Sequence, residues 1–272
     1  MSEKVAVITG SSSGIGLLTA VELAKHGYRV VATMRELGRR ERLEQAARIA
    51  GVSDRLDMRR LDVTEFEAIR GVVDAIARDH ERIDLLVNNA GFAMAGFAEE
   101  MRLAEIRQQF DTNFFGQVAM TQAVLPVMRR QRYGHILMVS SISGRVGQPV
   151  LSSYSSSKFA LEGWTEALRI ETFSLGIRVV LVEPGAFHTD VWERNVRIGE
   201  ALLRPESPNH ERGMRFAEMA KKLHKADATA VARLIRRVAD NPNPTLRYRI
   251  GFDAHLQFWL RALLPWKAWE RL

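Results

Sequence analysis

The sequence predicts a doubly wound α/β fold, a parallel sheet covered by helices on both faces, built as a single domain over its 272 residues. Three observations predict it. Short apolar, β-branched runs recur along the chain, amphipathic segments of helical period separate them, and a glycine-rich turn joins the first run to the first such segment. Strands that read as continuous apolar runs are those buried on both faces, as in a parallel sheet. Regular alternation of strand and helix marks that architecture.

Val5–Thr9 reads as the first strand, and Gly16–Lys25 as helix. Gly27 stands where a glycine closes a helix. Arg29–Thr33, Leu56–Leu61, Asp84–Asn88, His135–Ser140 and Arg178–Glu183 read as further strands, with Phe66–Arg78 a helix among them. Arg247–Ile250 is a weaker strand. The stretch from Met101 to Arg132 is long for one helix, and Pro126 is expected to kink or cap it. Residues 187–225 break the rhythm. Pro205, Ser207, Pro208 and Asn209 read there as a mobile loop between helices, and an insertion of this length reads as a substrate lid. Residues 252–272 form an amphipathic tail dense in Trp and Leu.

Composition narrows the function. A hydrophobic fraction of 46% is enough for one large core. The absence of cysteine excludes disulfides, thiolate metal sites and a thiol nucleophile, and no metal is expected. No signal peptide fits before Val5 and no apolar stretch is long enough to span a bilayer, so a cytoplasmic protein is expected. The net charge is +7, but the basic residues alternate with acidic ones and no nucleic-acid-binding motif accompanies them. They read as solvated helix faces. The tail, with its Trp and basic residues, also suits a membrane surface. Packing on the body or at an oligomer interface is the stronger expectation for a lone amphipathic helix.

The chemistry begins at Thr9-Gly10-Ser11-Ser12-Ser13-Gly14-Ile15-Gly16, between first strand and first helix. A helix N-terminus offers free N–H groups and a partial positive charge, which suit a pyrophosphate, and glycines let the backbone approach it. At the end of the second strand, where such folds read the adenosine ribose, stands Arg35. A guanidinium suits the 2′-phosphate of NADP(H), which favours that cofactor over NAD(H); Glu36, next along, argues the other way.

Tyr154 and Lys158 lie four residues apart and share one helix face. An ammonium beside a phenol is expected to lower its pKa from about 10, making it an acid or base for an alcohol or carbonyl oxygen. Ser141 follows a strand end and faces the same crevice, as do Asn88 to Gly91. Phe92, Met94, Phe97 and Trp192, with Leu202, Leu203, Met214 and Phe216, suggest an apolar pocket for a lipophilic substrate, contacted by Met94, Trp192 and Ser141.

Taken together, the motifs resemble the classical short-chain dehydrogenase/reductase family, and its branch of 17β-hydroxysteroid and retinol dehydrogenases. The glycine-rich loop, Asp62, Asn88-Asn-Ala-Gly91, Asn113, Ser141, Tyr154-x-x-x-Lys158 and Pro184-Gly185 with Thr189 occur in the family's order over roughly residues 4–190, and Ser141 precedes Tyr154 by the family's thirteen positions. The resemblance implies a Rossmann-like sheet of about seven strands in the order 3-2-1-4-5-6-7. It implies Tyr154 as general acid/base and Lys158 as its modulator and the binder of the nicotinamide ribose. It implies that Ser141 orients the substrate and that Asn113 holds a water. Gly10, Ser12, Ser13, Gly14, Ile15 and Gly16 would cradle the cofactor's phosphates. Asp62 and Val63 would meet its adenine, and Asn89, Ala90 and Gly91 would line its site. Pro184, Gly185, Phe187 and Thr189 would flank its nicotinamide, although Phe187 replaces the smaller residue common there. A homodimer or homotetramer formed through the helices of Asn113 and Tyr154 is also implied. Two other readings stay open: an NAD-dependent relative acting on a small or polar alcohol, and a dinucleotide-binding regulator without chemistry.

Overall fold

The computed structural model describes residues 3–188, 196–222 and 226–271. Seven parallel strands form the central sheet: β1 (Val5–Ile8), β2 (Arg29–Met34), β3 (Leu56–Arg60), β4 (Leu85–Asn88), β5 (Gly134–Val139), β6 (Ile177–Pro184) and β7 (Arg247–Ile250). Their order across the sheet is 3-2-1-4-5-6-7, as expected. The order reverses at β1, which pairs with β2 on one side and β4 on the other. Such a switch point is where this fold opens a ligand crevice.

Successive strand residues point to opposite faces, so each strand feeds two cores. Ala6 and Ile8 join Val30, Val180 and Val182 beneath α1 (Gly14–Lys25), α2 (Glu41–Ala50) and α8 (Thr229–Asp240). Val5 and Val7 join Val31, Leu86 and Ile136 beneath α3 (Phe66–His80), α5 (Gly116–Gln131) and α6 (Ser152–Thr172). Each fully buried Val, Leu or Ile contributes roughly 1.5–3 kcal/mol of transfer free energy. A one-residue slip in any strand would exchange its two sets of side chains.

One expectation is revised. The Met101–Arg132 segment is not capped at Pro126, which lies inside α5. It is divided earlier, where α4 (Leu103–Phe110) passes into a π-helical turn, Asp111–Phe115, before α5. Pro126 removes one helical N–H bond, but the packed face of Met120, Val124, Val127 and Met128 holds the helix on both sides of it.

The Pro205–Asn209 stretch is a turn entering α7 (His210–Lys222) and is tied down by buried Asn209, whose amide donates to Glu99 at 2.7 Å. Around it, Val196–Ile198 pairs with Ala93–Ala95, and Phe187–His188 with Ala226–Asp227, short strands that the apolar pattern did not signal.

The tail is helical over α9 (Phe252–Leu263) and Trp266–Trp269. Its inner face packs, with Ala254 and Phe258 against Ile142 and Val146, while Leu256, Trp259, Leu263 and Trp266 are exposed. Among the described residues no helix is long and apolar enough to cross a membrane.

Candidate active site

The carboxyl ends of the strands border a cleft of about 1120 Å³. Gly10, Ser12, Ser13, Gly14 and Ile15 form one wall, at the N-terminus of α1. Gly16 lies behind them, and its lack of a side chain is required. A Cβ there would stand 2.3 Å from the Gly10 carbonyl oxygen and 2.5 Å from Asn89 Nδ2. Asn89 fastens this loop to the end of β4. Its amide donates to the Thr9 and Gly10 carbonyls at 2.9 and 3.1 Å, while the Thr9 hydroxyl accepts from the Asn89 and Ala90 N–H groups at 3.0 Å. Ser13, the N-cap of α1, makes no side-chain capping bond. The first-turn N–H groups of α1 are thus left for an anion at the positive end of the helix. A dinucleotide pyrophosphate fits that cradle, and Asn89, Ala90 and Gly91 line the wall beside it.

Arg35, Asp62 and Val63 lie toward the β2–β3 end of the cleft. Glu36, the residue that argued for NAD(H), is held by Arg35 at 3.3 Å and by Arg39 at 3.1 Å. Its negative charge is therefore offset by two guanidiniums. Arg39 and Arg42 also line the cleft and were missed from the sequence. Their signal was the basic run Arg35-Glu-Leu-Gly-Arg-Arg-Glu-Arg42, within which Leu37–Arg39 forms a turn after β2. Asp62 accepts from the Thr64 N–H and hydroxyl at 2.9 and 2.8 Å, a turn that fixes Asp62 and Val63 after β3.

At the other end, α6 presents Tyr154 and Lys158, and the turn after β5 presents Ser141. Lys158 Nζ donates to the Val139 carbonyl at 2.8 Å and lies 5.8 Å from the centroid of the Tyr154 ring. Burial raises the Tyr154 hydroxyl above its ordinary value near 10, and a hydrogen bond with Ser141 works the other way. The expected lowering by Lys158 is not what dominates here: desolvation does. Burial also pulls the Lys158 ammonium down to about 8, with the negative charge of Glu162 opposing it.

Asn113 is fully buried in the π-helical turn. Its Oδ1 accepts from the Phe92 N–H at 3.1 Å, and its Nδ2 donates to the Phe92 carbonyl at 2.9 Å and to Ser157 Oγ at 3.3 Å. The side chain thus ties the chain after β4 to α6. Pro184, Gly185 and Phe187 line the cleft past β6, and the Ala186 N–H donates to Asp253 at 2.7 Å.

Met94 does not line the cleft, and its buried side chain packs with Phe92, Met101 and Ile106. The alternation of the Ala93–Ala95 strand turns Ala93 and Ala95 toward Tyr154 and Leu151 instead. Thr189 and Trp192 lie outside the described residues. Gln108, Asp111, Thr112 and Arg197 also line the cleft and were not anticipated, and Ser140 lines it beside Ser141. Arg197 sits 4.4 Å from the centroid of the Phe92 ring.

The family profile described as short chain dehydrogenase matches residues 4–197. The uncharacterized oxidoreductase YusZ of Bacillus subtilis is 40% identical over 275 residues, covering 100% of this chain and 98% of its own. Retinol dehydrogenase 8 of Homo sapiens is 45% identical over 190 residues, covering 69% of this chain and 60% of its own. Among solved structures, a short-chain dehydrogenase from Streptomyces avermitilis superposes with a TM-score of 0.83 at 32% identity, covering 100% of this chain and 98% of that one. ElxO with NADP bound gives 0.77 at 26% identity, covering 91% and 97%, and a Burkholderia phymatum relative in complex with NAD gives 0.82 at 27%, covering 96% and 93%.

Proposed function

The chain belongs to the short-chain dehydrogenase family of oxidoreductases, and from that premise we propose that it interconverts a lipophilic alcohol and its ketone or aldehyde with NADP(H), Tyr154 passing the proton. The observation that carries this reading is the convergence of Ser141, Tyr154 and Lys158 on one end of a cleft whose other end holds Arg35, Arg39 and Arg42.

The bound nicotinamide supplies the hydride, given to or taken from the substrate carbon. Everything else falls to the chain. Ser141 orients the substrate oxygen toward the Tyr154 hydroxyl. A phenol that burial keeps protonated is suited to give its proton to that oxygen during reduction. Lys158, charged below about pH 8, holds the ribose and steadies the phenolate left behind. With its side chain occupied by Phe92 and Ser157, Asn113 would serve a water through its backbone carbonyl.

The guanidiniums at the adenosine end support NADP(H), because a 2′-phosphate there meets charge-assisted hydrogen bonds. Relatives bind either cofactor, as the NADP of ElxO and the NAD of the Burkholderia protein show for those proteins. Substituting both Arg35→Ala and Arg39→Ala is expected to raise the KM for NADPH at least about tenfold while changing that for NADH by less than about twofold. Steady-state kinetics with each cofactor checks this; equal effects on the two would remove the arginines from cofactor choice.

The retinol dehydrogenase relative supports a lipophilic substrate. Residues 187–225 are read as its lid, while Met94 is left to the packing behind the cleft. Phe159, Ile170 and Phe173, exposed on α6 and the turn after it, support self-association through that helix.

A further inference from the structure

Lys158 has a neighbour that the reading above does not use. Glu162 lies one helical turn beyond it on α6 and is only 4% exposed. A carboxylate this buried is rare unless charge and hydrogen bonds hold it. Arg247, on β7, donates to its Oε2 at 3.1 Å, and Arg145 approaches the same oxygen at 4.0 Å. Arg247 also meets Glu166 and, at 3.1 Å, the fully buried Glu183 of β6, which Arg249 holds from its other side at 2.9 Å.

The cluster reaches the cleft at Gly144. A Cβ on that residue would stand 2.8 Å from Ser140 Oγ, 3.0 Å from Glu162 Cγ and 3.1 Å from the Lys158 carbonyl oxygen. Glycine there lets the turn after β5 close onto α6, which sets the Glu162 carboxyl beside Ser140, a residue of the cleft wall.

We propose that Glu162 is a positioning residue of this site, its buried carboxylate supplying the negative charge that keeps the Lys158 side chain an ammonium within the cleft. The proposal rests on the reading of Lys158 above. Lys158 is buried, and the groups that meet its ammonium, the Val139 carbonyl and the Tyr154 ring, carry no net charge to offset that burial. Glu162 opposes that burial. Burial and Glu183 in turn push the Glu162 carboxyl upward, and Arg247 and the Ser140 hydroxyl counter them. The net direction for Glu162 is upward, Arg247 draws the carboxyl back toward ionisation, and an ionised Glu162 favours the ammonium of Lys158.

The test is Glu162→Gln, with two readouts. The first needs no cofactor: the Lys158 side chain is titrated by NMR in lysine-labelled protein, its signal assigned by its loss in K158M. The second is the pH profile of NADPH-dependent reduction. Lys158 must hold its proton, so the rate falls on the alkaline side. Removing the opposing charge is expected to move both the titration and that alkaline limb down by about one pH unit, and Glu162→Asp, which keeps the carboxylate, is expected to restore most of the shift. Stability loss with an unmoved titration would assign Glu162 to the arginine cluster alone and overturn the proposal.

If E162Q does not fold, the K158M/E162Q double variant decides. A fold recovered by removing the lysine supports the coupling, and a failure that persists without it overturns the coupling. Absence of NADPH turnover in the wild type would instead strike at the proposed function, leaving the NMR readout to judge Glu162 separately.

Discussion

Tyr154→Phe is expected to lower kcat by about a thousandfold or more, the scale of a lost general acid, while leaving the Kd for NADPH within about twofold. The substitution removes one hydroxyl and keeps the ring, so Ala93 and Leu151 retain their packing partner. Ser141 Oγ still accepts from the Ser143 N–H at 3.1 Å, so no group on that side is left without a bond. The cost in stability is expected to stay below about 1 kcal/mol. Stopped-flow reduction, a cofactor-binding titration and a denaturation curve on one preparation separate the three quantities. Residual turnover within tenfold of the wild type would place the proton donor elsewhere in the cleft.

Lys158→Met is expected to abolish turnover to a similar degree and yet to stabilise the protein near neutral pH. Burial lowers the Lys158 ammonium from 10.5 to about 8. The native state therefore disfavours the proton that the unfolded chain holds readily. Below about pH 8 both states carry it, and folding bears the full cost of the buried charge. Between about 8 and 10.5 the unfolded state binds more protons than the native one, so the wild type gains stability as pH rises. Methionine fills the same space without charge but abandons the bond to the Val139 carbonyl. Setting those terms against each other, K158M is expected to be about 1–2 kcal/mol more stable at pH 7. The gain is expected to vanish toward pH 10. Urea denaturation at the two pH values checks the sign, and a variant less stable at pH 7 would show that the buried ammonium stabilises the fold. Stabilisation with loss of activity is the trade-off expected of a residue kept for chemistry.

Much of the fold was legible because its signals are local. Runs such as Val30–Ala32 and Ile136–Met138 are apolar at every position, which only a sheet buried on both faces rewards. The glycine-rich loop and the Tyr154/Lys158 pair were legible for the same reason, each being a short pattern with one physical purpose. What escaped the sequence depends on distant contacts. The π-helical turn at Asp111–Phe115 has no compositional mark, and Pro126, which has one, is overridden by packing. Met94 looked like pocket lining because it is apolar and follows the cofactor loop, but the pairing of Ala93–Ala95 with Val196–Ile198 fixes which way it points. The Glu162–Arg247 pair joins residues 85 positions apart, and nothing near either one announces the other. Arg39 and Arg42 looked like surface charges until the turn after β2 brought them to the cleft.

The central claim is that the Arg35 end of this cleft holds NADPH while its Tyr154 end reduces a lipophilic carbonyl. The most direct measurement presents a panel of steroid, retinoid, fatty aldehyde and small polar carbonyls to the wild-type protein with NADPH and NADH in parallel. Mass spectrometry follows the transfer of deuterium from cofactor labelled at its hydride-donating carbon. The account predicts one deuterium on the carbonyl carbon of at least one lipophilic substrate, with kcat/KM higher for NADPH by at least about tenfold. Transfer confined to NADH, or to small polar carbonyls alone, would contradict it.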